Sequence, residues 1–161
     1  MNIKRAAIAC IFMIFLVLTA HASMVSFFVI ETGLSQEGER KRHSELWENT
    51  LLDVFFDAGY IVSNYPMIRL ASIPDGNILD VVGFDLEEAR DGGIDYVLIT
   101  RLDYVAGVQA PQEVSFYLFK TTQHRIIYEK QISGNFNRPD RELTESLKSI
   151  IKELVPFFNN M

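Results

Sequence analysis

Apolar residues along this chain change period from segment to segment, and those changes mark its elements. Val25-Ser26-Phe27-Phe28-Val29-Ile30 is apolar at nearly every position, which predicts a strand covered on both faces. Leu34 to Arg42 is polar and mixed in charge, a loop or a frayed helix start. Trp47, Leu51, Val54, Phe55 and Ala58 then share one face of a helix from about Ser44 to Ala58, with Gly59 at its cap. Tyr60 to Asn64 reads as a short second strand near a sheet edge, stopped by Pro66. Residues 66–84 show no clear period and hold a turn at Pro74-Asp75-Gly76-Asn77. Asp85, with Glu88 in capping-box spacing, predicts a short helix that Asp91-Gly92-Gly93 ends.

Tyr96 to Thr100 is a second buried strand, trailing to Val105, and Gly107 to Gln112 is a loop. Glu113 to Lys120 alternates as a strand with both faces partly covered. Thr121 to His124 is a hairpin connection, and Arg125 to Ser133 returns with more charge, as an outer strand would. Leu143, Leu147, Ile150, Ile151, Leu154 and Phe158 repeat at helical spacing from Asp140 to Phe158, and Pro156 interrupts the last turn. The order is β-α-β-α-β-β-β-α. Strands joined by helices favour parallel pairing and strands joined by short turns favour antiparallel pairing. The expected fold is therefore one mixed α/β (α+β) domain, a single sheet of about five strands with helices packed on it.

The amino terminus changes what counts as the working chain. Lys4 and Arg5 precede an apolar run from Ala6 to Leu18, and Ala20-His21-Ala22 offers the small-x-small pattern of signal cleavage before Ser23. The run reaches Ala20, shorter than the roughly 20 apolar residues that span a bilayer. The expectation is a cleavable signal over 1–22 and one domain over 23–161. The alternative reading is an uncleaved anchor over 6–20 in the inner membrane. Cys10 has no room before it for the apolar region of a lipobox. The whole chain has 161 residues and a formal charge of −6; the part after residue 22 has 139 residues, a charge of −8 and no cysteine. Such a domain has no disulfide and relies on its core. Its acidity argues against nucleic acid as a partner.

Each chemical candidate meets a plainer explanation. His43 and His124 lie on different elements without a cysteine or a second nearby histidine, so neither metal nor cofactor is expected. Asp75, Asn77 and Asp80 resemble a calcium loop but lack the bidentate Glu at its twelfth position. His43-Ser44 are neighbours with no third orienting group, and Ser44 reads as a helix cap. Asp85, Glu87, Glu88, Asp91 and Asp95 form an acidic cluster that reads as a solvated face. Arg40-Lys41-Arg42 is the only basic run, set among Glu37, Glu39, Glu45 and Glu48, and is a candidate contact for an acidic partner or a membrane surface. Phe56 and Tyr117 lie off the main apolar faces and are expected to be exposed, a candidate partner surface.

The passages "FFVIETG", "LLDVFFDAGYIV" and "LEEARDGGIDYVLITRLDYV" are similar to the amino-terminal module of TolB and its relatives. Those relatives include CsgG and the lipoprotein activators of peptidoglycan synthases. The hairpin "VSFYLFKTTQHRIIYEKQISG" and the helix "ESLKSIIKELVPFF" resemble the closing elements of that module, so the likeness runs over about residues 25–158. It departs from the family in the propeller, the pore hairpins and the lipidated tether, which these residues do not form. The resemblance implies an exported, non-enzymatic domain that contacts other envelope proteins, with self-association left open. The alternative is a small-ligand binder or hydrolase with a carboxylate-lined cleft.

Overall fold

The computed structural model describes residues 22–33, 40–73, 77–105 and 108–159. The expected signal residue Ala20 and the turn residues 74–76 lie outside them. Strand β1 is Met24–Thr32, helix α1 Arg40–Asp57, β2 Ile61–Asn64, β3 Ile68–Leu70, α2 Ile78–Asp91 and β4 Tyr96–Asp103. Strand β5 is Glu113–Lys120, β6 Arg125–Ser133, α3 Asp140–Lys152 and α4 Val155–Asn159. The sheet order is β2-β1-β4-β5-β6, with β3 pairing β1 beyond β2. Strands β2, β3 and β4 pair β1 in parallel, while β4-β5-β6 are antiparallel. The chain thus leaves β1 on one side through α1 and returns on the other through α2. Right-handed crossovers in opposite directions put the two helices on opposite faces.

Period-two alternation in β1 feeds two cores. Val25, Phe27 and Val29 meet Trp47, Leu51, Val54 and Phe55 of α1 and Leu143, Leu147 and Ile151 of α3. Phe28 and Ile30 face the other way, onto Ile78, Val82, Leu86 and Ala89 of α2. Gly33 closes the top of β1 with φ at 99°, where a Cβ would run into the carbonyl of Tyr104. That carbonyl is held close because Tyr104 N donates to Thr32 O at 3.0 Å.

Three expectations are corrected. The irregular stretch 66–84 contains β3, a sixth strand, and the first turns of α2. Helix α2 opens at Ile78, capped by Asn77, whose side chain accepts from Leu79 N at 3.1 Å. Asp85 and Glu88 sit inside that helix and form no capping box; the buried stripe Ile78-Val82-Leu86-Ala89 extends it a full two turns earlier. Ser44 lies within α1, buried, and its hydroxyl bonds Tyr104 Oη at 3.0 Å instead of capping. The last helix divides before Pro156, which lacks the N–H an unbroken helix needs.

Candidate functional site

The two ends of the sheet differ. At one end β2 has four residues and β3 three, separated by Tyr65-Pro66-Met67. Tyr65 stacks on Phe28 with ring centroids 4.2 Å apart and folds that edge against the core. Burial raises the Tyr65 phenol above its ordinary range, with Glu88 and Asp85 adding to the effect. Burial raises the Tyr60 phenol in the same way, with Tyr96 adding to it. At the other end β6 is a nine-residue strand that pairs only β5 among the described strands, with a break in register at Ile127. From Tyr128 onward its side chains alternate: Glu129, Gln131 and Ser133 are exposed, while Tyr128, Lys130 and Ile132 are half-buried toward the helices.

A groove of about 350 Å³ runs between β6 and α3. Ile132, Phe136 and Ile150 line it with Lys130, Arg138 and Glu153. Its walls are tied to the core. Phe136 meets the edge of Trp47 at 5.6 Å, and Trp47 in turn packs on Phe116. Tyr128 stacks on Phe157 of α4 at 4.1 Å. Lys130 Nζ reaches Glu153 Oε2 at 2.6 Å, bridging the strand and the helix end. Arg138 donates from Nε to Asn135 O at 3.1 Å and, among the described residues, makes no ion pair. Periodicity placed β6 on the outside, but the groove joins residues far apart in sequence, and no local signal marks it.

The carboxyl ends of the parallel strands carry acids, each met by an arginine. Glu31, almost fully buried, takes Arg69 Nε at 2.8 Å. Its second oxygen and Trp47 Nε1 are buried without a hydrogen-bond partner among the described residues. Arg101 holds Asp103 at 2.8 Å, lies 3.6 Å from Glu113 and donates to Tyr117 Oη at 3.2 Å. Thr32 donates to Asp103. These arginine–carboxylate contacts build a charge network at that end of the sheet. The acidic cluster around α2 is outward: Glu87 and Asp91 pair with Arg90, and Asp95 accepts Met24 N at 2.9 Å. Among the described residues no three His, Cys, Asp or Glu side chains converge as metal ligands.

The sequence-predicted surface residues do not converge. Phe56 is 69% exposed on the outer side of α1, as expected. Tyr117 is buried, which corrects its expected exposure: alternation within β5 turns it to the face opposite Phe116, and that face is covered too, by α2 and Arg101. Phe56 and Tyr117 therefore belong to opposite sides of the sheet. Arg40, Lys41 and Arg42 form the first turn of α1, and their side chains lie outside the description. Ala22 and Ser23 precede β1, and Ser23 O accepts Ile61 N at 3.1 Å. The segment 6–20 is outside the described residues, among which no helix is long and apolar enough to cross a membrane.

The PelC dodecamer from Paraburkholderia phytofirmans is similar at 18% identity, over 83% of this chain and 85% of that one, with a TM-score of 0.48. TolB from Acinetobacter baumannii is similar at 14% identity over 84% of this chain but only 28% of its own length, with a TM-score of 0.46. The LpoB C-terminal domain from Escherichia coli follows at 16% identity, over 76% of this chain and 93% of that one, with a TM-score of 0.44. No curated protein matches the chain. Residues 24–132, more than half of the chain, match a protein family described as "Uncharacterised protein", and the chain belongs to that family.

Proposed function

We propose that this chain is an exported envelope protein whose single domain acts without catalysis, by holding another envelope protein at the open β6 end of its sheet. The observation that carries the reading is β6 itself: beyond a break in register at Ile127, Tyr128 to Ser133 form six regularly paired residues of edge strand beside a groove, in a sheet whose other end is short and folded inward. An edge strand with unused backbone donors and acceptors binds an extended segment by adding a strand.

Export rests on the amino-terminal pattern, Lys4-Arg5, the apolar run and Ala20-x-Ala22. A cut between Ala22 and Ser23 leaves β1 whole and keeps the Ser23 O and Met24 N hydrogen bonds to β2 and Asp95. Intact mass of the exported protein checks this, with loss of residues 1–22 expected; full-length retention supports the anchored alternative instead. The binding reading is tested by crosslinking and pull-down from envelope extract. One specific envelope protein should appear, whereas a small metabolite co-purifying with no protein partner overturns it.

A further inference from the structure

We infer that the groove between β6 and α3 takes an extended peptide segment of the partner, with apolar side chains at alternate positions and a carboxylate at the end near Arg138. This rests on the binding-module reading above and adds the chemistry of what is bound. A strand added outside β6 shares its pleat, so every second side chain points to the α3 side. There it meets Ile132, Phe136 and Ile150, while the alternate set faces solvent beside Glu129 and Gln131. The segment therefore needs apolar character on one face only.

Charge selects the end group. Lys130 is already matched by Glu153 at 2.6 Å, so the pair contributes no net charge. Arg138 lines the groove, has one donor on Asn135 O and makes no ion pair among the described residues. On a chain of formal charge −6 this is a locally positive place, and a guanidinium fork fits a carboxylate in a bidentate way. A second copy of the chain is a poorer occupant. Antiparallel pairing of β6 with itself about its centre sets Glu129 against Glu129, or Lys130 against Lys130, and like charges directly opposite disfavour the pairing.

The probe is an eight-residue peptide of alternating Val and Thr flanked at both ends by Asp, with a Lys-flanked peptide of the same core as its control. Titrated into the purified, 15N-labelled protein, the acidic probe should shift amides of 128–138 and of α3 and leave β2 unmoved. Arg138→Glu should weaken it about tenfold and favour the Lys-flanked control. Equal affinity for both peptides, shifts centred on β2 or α2, or no shift at millimolar probe each overturn the inference. So does protein-alone self-association that moves the same amides.

Photo-crosslinkers at Ser146 in the groove and at the exposed Phe84 of α2 separate this inference from the broader reading. An envelope protein captured only at Phe84, with β6 silent to the peptide, removes the groove and the β6 placement together and leaves only envelope-protein binding at another face of the domain. Capture at neither position, with β6 also silent to the peptide, removes both.

Discussion

At one end of the sheet, β2 and β3 offer four and three residues with Pro66 between them, and Tyr65 lies stacked on Phe28. At the other, β6 runs nine residues without proline, backed by Tyr128 on Phe157 and by Phe136 on Trp47. Short strands and proline are how sheets avoid unwanted edge pairing. The β6 end is guarded differently, by the break in register at Ile127 and the inward-turned charge of Lys130, which leaves Tyr128 to Ser133 as the longer regular edge of the two. A rigid edge also lowers the ordering cost of adding a strand.

The comparison breaks first at the aromatic anchors. Phe136→Ala, which empties a buried ring site against Trp47, should cost about 3 kcal/mol in thermal or urea unfolding. Tyr65→Ala at the opposite end removes one half-buried ring and its stack, and should cost about 1.5 kcal/mol. If Tyr65→Ala is the more damaging change, the two ends have been ranked in the wrong order. Lys130→Ala should cost about 1 kcal/mol or less, because Glu153 at the other end of its bridge is exposed to solvent, and added salt should hide part of that loss.

The smallest effect is alkaline and belongs to the β2 end. The Tyr60 and Tyr65 phenols have folded pKa values raised above the unfolded value by burial. Their contribution is complete below about pH 10 and is lost as pH rises through the folded values. Stability should therefore fall above about pH 10, and Tyr65→Phe should flatten part of that fall in melts taken across the range. An unchanged slope would place the alkaline loss elsewhere.

Sequence pattern revealed the parts whose signal is local. The apolar run of β1, the Tyr96–Thr100 strand, the β5–β6 hairpin and the stripes of α1 and α3 follow from residues that sit next to one another. Strand β3 was illegible because three residues become a strand only by pairing the far end of β1. The start of α2 was hidden by the turn residues before it, although Ile78-Val82-Leu86-Ala89 carried the period and Asn77 the cap. Tyr117 was misplaced for a related reason: alternation shows which face a residue takes, while α2 and Arg101 decide whether that face is covered. The edge position of β6 was legible in its charge; the groove beside it depends on where α3 docks.

The central claim is that one end of the sheet binds and the other does not. Photo-crosslinking residues placed singly at Gln131 on β6 and at the half-exposed Ile61 on β2 compare the two ends directly in envelope extract. A protein adduct should form from Gln131 and not from Ile61. Adducts from Ile61 with none from Gln131 would contradict the claim.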